Sequence, residues 1–266
     1  MTIRPLLILA AVAAVATPAL AETAEERGLA IAEETERRDD GFGDTRVELT
    51  MELRNAQGQS STRKIRLQSQ ETNEDGLGDR SLSYFKTPRD VEGTAFLSYT
   101  KILEPDDQWL YLPALKRVKR VSSANKSGPF VGSEFAFEDL VSFETAKYDY
   151  KFLGEEPCPT DPALTCYVNE SYPNDENSGY TKRVSWTDTA EYRIKKVDFY
   201  DRKSELLKTL TNDDFRQYLG QFWRSHRQTM VNHQTGKSTV LIFSDFVFQG
   251  GVDDAYFNPN RLSRIR

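Results

Sequence analysis

Between residues 47 and 53 the chain alternates without a fault: Val47, Leu49, Met51 and Leu53 are apolar, and Glu48, Thr50 and Glu52 between them are polar. Successive side chains of an extended backbone point to opposite faces, so this segment reads as a strand with one buried and one wet face. Similar segments follow at 62–70, 80–87, 94–102, 108–112 and 116–121, divided by turn-rich stretches at Asn55–Gln59, Asn73–Asp79 and Pro88–Gly93. A second run of strands is expected at 146–153, 165–173, 180–187, 192–200 and 205–211, then at 215–223, 227–234 and 238–248. Thr239–Phe243 lacks alternation and is expected to be buried on both faces.

Helical patterning is confined to short pieces. Glu22–Arg38 is rich in Ala, Glu and Arg and reads as a helix of modest amphipathicity. Gly132–Leu140 and Asp254–Phe257 read as short helices in the middle and at the end. Strands joined mainly by short turns favour an antiparallel meander, so the expected fold class is mainly β (α+β), one large sheet covered by the helices on a single face. The pattern alone does not choose between a solid interior and a hollow one.

The first residues carry an export pattern: Arg4, then the apolar run Leu6–Val15, then the small-x-small site Ala19-Leu20-Ala21. Cleavage is expected between Ala21 and Glu22, leaving 22–266 as one domain in the periplasm, because the apolar run is shorter than the ~20 residues of a spanning helix. In that oxidising compartment the two cysteines, Cys158 and Cys166, are expected to form a disulfide closing a loop between neighbouring strands.

The net charge of −6 argues against nucleic acid as a partner, since its phosphates would be repelled over most of the surface. The one dense basic cluster, Lys116, Arg117, Lys119 and Arg120, is a candidate contact for anionic head groups or an acidic partner, or simply a solvated strand face. His226 and His233 are seven residues apart, which on a strand sends them to opposite faces, so no metal site is expected. The acidic turns at Asp39–Asp44 and Glu74–Asp79 lack the ligand spacing of a calcium loop. No nucleophile elbow, phosphate loop or paired acid–base carboxylates can be identified, so neither a cofactor nor an enzymatic activity is expected.

Several segments together resemble one family. Asp106–Val118 (DDQWLYLPALKRV) is similar to the strand-turn-strand signature of the LolA-like outer-membrane lipoprotein-sorting proteins. Gly132-Ser133-Glu134-Phe135 with Glu138-Asp139-Leu140, Lys195–Asp201 with Leu207-Lys208-Thr209, Asn232–Thr239 and Asp254–Leu262 resemble the same family in the same order, in its uncharacterised exporter-associated branch. The resemblance implies an unclosed half-barrel with a helical lid that carries a lipid or acylated protein without catalysis. It also implies a possible membrane exporter of the RND/MMPL type as partner, and a monomer is expected.

On that reading Val47, Leu49, Met51, Leu53, Ile65, Leu67, Phe96, Trp109 and Tyr111 line the concave cavity, with Phe135, Phe137 and Leu140 as its lid. From pattern alone the same side chains would be ordinary core. The rival function is an accessory or sensor subunit that binds an exporter or envelope-signalling partner and never shuttles cargo. A hydrolase of envelope lipids is a more distant rival.

Overall fold

The computed structural model describes residues 22–72 and 74–265; the export pattern at 1–21 lies outside the described residues. Its frame is one antiparallel sheet of thirteen strands. These are β1 (Asp44–Arg54), β2 (Ser60–Gln70), β3 (Leu77–Thr87), β4 (Ala95–Lys101), β5 (Asp107–Leu112) and β6 (Arg117–Val121), followed by β7 (Tyr148–Cys158), β8 (Asp161–Pro173), β9 (Tyr180–Asp188), β10 (Ile194–Asp201), β11 (Leu206–Tyr218), β12 (Phe222–Asn232) and β13 (Ser238–Phe248). Within each run every strand pairs with its predecessor, and β1 pairs with β13, giving the order β6-β5-β4-β3-β2-β1-β13-β12-β11-β10-β9-β8-β7. The sheet is therefore two meanders joined along β1 and β13, and its edge strands β6 and β7 do not pair with each other.

The sheet is strongly curved. Phe96 on β4 and Tyr180 on β9 belong to one buried cluster, although eight strand spacings separate them, about 38 Å in a flat sheet. Only a sheet bent into a trough brings them against the same filling. This is the unclosed half-barrel that the family resemblance implied.

The 14-residue helix α1 (Ala24–Arg37) starts at a reciprocal capping box, in which Thr23 accepts from the Glu26 amide and Glu26 accepts from the Thr23 amide. It packs along β7 inside the trough, and Asn169 on β8 donates to the Gly28 carbonyl at 2.8 Å. A Cβ on Gly28 would meet the backbone nitrogens of Lys151 and Phe152, so glycine sets how closely the helix approaches. The disulfide Cys158–Cys166 clips the β7–β8 hairpin, as expected, with both cysteines fully buried. Among the described residues no helix is long and apolar enough to cross a membrane.

Four expectations need correction. Gly132–Leu140 is not a helix but two 3-10 turns, at Phe130–Gly132 and Phe137–Asp139, pinched by an isolated bridge between Pro129 and Ala136. Residues 205–234 form two long strands rather than three short ones. The chain turns once, at Leu219–Gln221, and the polar Asn212 and Asp213 stay inside β11 because Asn212 donates to the Ile194 carbonyl. In Thr239–Phe243 only Thr239 and Leu241 are buried, so the segment alternates after all, with Val240 and Ile242 half-buried on the other face. The helical pieces do not share a face either: the C-terminal 3-10 turns pack Phe257 and Leu262 against Leu82, Ala95 and Leu97 on the convex side, where they form a second core.

Candidate functional site

The trough is filled at one end and open at the other. The filling is the crossover between β6 and β7, whose Phe130 and Phe135 are buried with Leu49, Met51, Ile65, Phe85, Phe96 and Met230. Phe130 sits at the centre of an aromatic group, with ring centroids 5.3 Å from Phe96, 5.6 Å from Phe137 and 5.7 Å from Phe85. Offset and edge contacts of this kind add to simple burial.

Polar bonds lock the same plug to the opposite wall. Lys208 on β11 reaches the Asp139 carboxylate at 2.6 Å and the Glu134 carbonyl at 2.9 Å, and the Tyr180 hydroxyl donates to Asp139 at 2.8 Å. Burial next to this carboxylate pushes the Tyr180 hydroxyl well above its ordinary pKa, so it stays a donor. Glu134 accepts from Asn232 at 2.7 Å, and Glu138 accepts from Ser178 and the Gly179 amide, both at 2.8 Å.

Beyond the plug lies a cavity of about 1490 Å³ between α1, the start of β1, β3 and β12, the later parts of β11 and β13, and the crossover at 142–144. It exceeds the ~300–1,000 Å³ of a pocket for a drug-sized molecule. Its lining is divided. Val47, Leu67, Ile194, Phe215, Phe243 and Phe246 give it an apolar wall, while Glu36, Asp39, Asp40, Glu71, Asp79 and Glu144 gather around the C-terminal end of α1 and the crossover. Burial, reinforced by Glu36 and Asp79, pushes the Glu144 carboxyl up to about 7. Burial also pushes Asp79 up to about 6, against a 2.8 Å hydrogen bond from Ser142.

Of the residues expected to line a cavity, Val47 and Leu67 do so. Leu49, Met51, Ile65 and Phe96 are packed core under the plug, with Leu53 partly buried beside them, and the expected lid residues Phe135, Phe137 and Leu140 belong to the plug itself. Trp109 and Tyr111 are a correction. They pair with Leu97 and Ala95, face the convex side and pack in the second core, whereas Leu110 points inward. One step of register decides the face, and the apolar run Trp109–Leu112 gave no alternation to fix it.

The basic residues Lys116, Arg117, Lys119 and Arg120 are exposed at and beside the edge strand β6, with Arg120 paired to Asp107. Pairing with β5 puts Arg117 and Lys119 on the concave side and Arg120 on the convex side, so the cluster wraps an edge rather than covering a face. His226 is buried between the Tyr218 hydroxyl and the Phe243 carbonyl, and His233 contacts the Thr209 hydroxyl. The acidic end of the cavity was not legible in the sequence, because its carboxylates come from α1, β3 and the crossover, far apart along the chain.

An unclosed antiparallel trough with a buried crossover and an open cavity is an architecture this chain shares with several solved structures. A family model described as an uncharacterized protein matches residues 78–264. A crystal structure from Vibrio parahaemolyticus, described as an outer membrane lipoprotein-sorting protein domain, is 55% identical, covering 90% of this chain and 100% of that one, with a TM-score of 0.86. A DUF1329 family protein from Desulfovibrio piger is 28% identical over 90% of this chain and 99% of its own, with a TM-score of 0.84. A LolA superfamily protein from Nitrosomonas europaea shares the fold at 22% identity, covering 88% and 98% of the two chains, with a TM-score of 0.69. No curated protein matches. The chain belongs to the same family as the outer-membrane lipoprotein-sorting domain from Vibrio parahaemolyticus, and its fold is LolA-like.

Proposed function

We propose that the protein is a periplasmic, non-enzymatic carrier that holds the hydrocarbon of a lipid or acylated protein inside the half-barrel. The observation that carries this reading is the open cavity of about 1490 Å³ beside an apolar wall, in a sheet whose other end is solidly packed. An acyl chain of fifteen methylenes costs about 12 kcal/mol to leave in water, at ~0.8 per methylene. The wall formed by Val47, Leu67, Phe243 and Phe246 offers it shelter. The relative from Vibrio parahaemolyticus, described by lipoprotein sorting, supports the cargo class.

The plug is the fixed floor of this site. Cargo enters beside it, and loading does not require the Phe130–Leu140 crossover to leave, since that segment is held by a buried ion pair and at least five further polar contacts. The basic edge at β6 is the proposed contact with anionic head groups or an acidic membrane partner.

Native mass spectrometry with lipid extraction, on protein purified from its own periplasm, tests the carrier reading. A stoichiometric acylated ligand is expected. Consistently empty protein would overturn it in favour of an accessory subunit that binds a partner and carries nothing.

A further inference from the structure

The cavity is charged asymmetrically. Its lining holds eight carboxylates and four guanidinium groups, and the guanidiniums are already engaged: Arg37 and Arg38 with Glu34, Arg193 with Asp188, and Arg224 with Asp39. The excess negative charge is concentrated where Glu36 of α1, Asp79 of β3 and Glu144 of the crossover converge. Glu36 accepts only a long contact of 3.5 Å from the Thr145 amide, and Asp79 accepts from the Ser142 hydroxyl.

Glu144 is the sharpest case. It lies in the cavity lining with 9% of its surface exposed, its carboxylate resting on Gly78, where a Cβ would collide with it. Among the described residues its carboxylate has no hydrogen-bond donor and no cation. The nearest lysine, Lys147, is drawn to Asp106 at 2.5 Å. A carboxylate taken out of water without a partner is costly, and a ligand that supplies a cation removes that cost. Nor is a metal ion the natural occupant, since no group of three or more His, Cys, Asp or Glu residues among those described could hold one.

We infer that the acidic end of the cavity is a binding site for an organic ammonium group, so that the cargo is an amphiphile with a hydrocarbon part on the apolar wall and a positively charged amine beside Glu144, Asp79 and Glu36. This rests on the carrier reading and sharpens it from hydrocarbon in general to amine-bearing hydrocarbon. The charges facing Glu144 are Glu36 from α1, Asp79 from β3, Lys147 from the following turn and Asp106 from the β4–β5 loop. Binding therefore displaces protons held at this end near neutral pH.

The test is isothermal titration, below micelle-forming concentrations at pH 7.5, with dodecylammonium, dodecanol and dodecanoate. Dodecylammonium is expected to bind about tenfold tighter than dodecanol, as one charge-assisted contact supplies, and dodecanoate to bind weakest. Glu144→Gln and Asp79→Asn are each expected to cut the ammonium-to-alcohol ratio severalfold. Titrations at pH 6.5 in buffers of different ionisation enthalpy should show proton release with the ammonium only. Equal affinity for the three head groups, or a preference that survives in both variants, would overturn the ammonium site while leaving the carrier standing. If none of the three binds, the carrier reading falls, and this inference falls with it.

Discussion

Lys208 and Asp139 meet at 2.6 Å inside the half-barrel, with only 4% and 6% of their side chains exposed. One stands on β11 and the other on the crossover between the edge strands, so the pair fastens the plug to the wall across the trough. Removing one partner leaves a buried charge uncompensated, which costs about 3–5 kcal/mol, whereas replacing both by apolar residues of similar volume is often near neutral. Asp139→Ala should therefore be severely destabilised in urea denaturation. Lys208→Met combined with Asp139→Leu should recover most of the loss.

Phe130 is 1% exposed and touches three other aromatic rings. Phe130→Ala should cost about 3–5 kcal/mol through the hole it leaves. If the plug is the fixed floor of the site, hydrogen exchange in this variant should quicken first at residues 130–140, ahead of the β1–β2 ladder.

Glu144 yields a pH dependence whose sign can be worked out. Its folded pKa, about 7, lies above the ordinary value of 4.5, so between these values the folded state binds more protons than the unfolded one. Stability contributed by the protonated group is thus full below about 4.5 and is lost as pH rises through about 7. Glu144→Gln should remove part of that slope and raise Tm at pH 7.5 by roughly 2–4 °C, the equivalent of about 1 kcal/mol in a chain of this size. Thermal melts across pH 5 to 8 would show it.

The disulfide spans eight residues and clips a hairpin at the sheet's far end. Replacing Cys158 and Cys166 by serine should lower stability by about 2.5 kcal/mol through the freed unfolded chain. Chemical denaturation measures the loss, and the cavity's ligand affinities should stay unchanged because neither cysteine lines it.

On the basic edge, each lysine or arginine close to an anionic membrane surface contributes about 1 kcal/mol. Changing Lys116, Arg117, Lys119 and Arg120 together to glutamine should weaken vesicle binding by orders of magnitude and flatten its salt dependence. Unchanged, salt-independent binding in a sedimentation assay would remove this contact.

By itself the sequence determined most of the strands and the faces of those that alternate. Val47, Leu49 and Met51 can satisfy an extended backbone and bury their apolar side chains in only one way. The helix read at 22–38, the hairpin clipped by Cys158 and Cys166 and the family segments were equally local, because each rests on residues close together in the chain. What surrounds those elements was decided only by tertiary structure. Bending thirteen strands into a trough set Phe130 and Phe135 where a greasy hollow was expected, turned Trp109 and Tyr111 outward, and brought Glu36, Asp79 and Glu144 together from three separate segments. Alternation says which side of a strand is buried but not what lies against it. Whether a concave face meets its own chain or open space depends on curvature and on the path of a distant crossover, neither of which a local pattern of apolar and polar residues encodes.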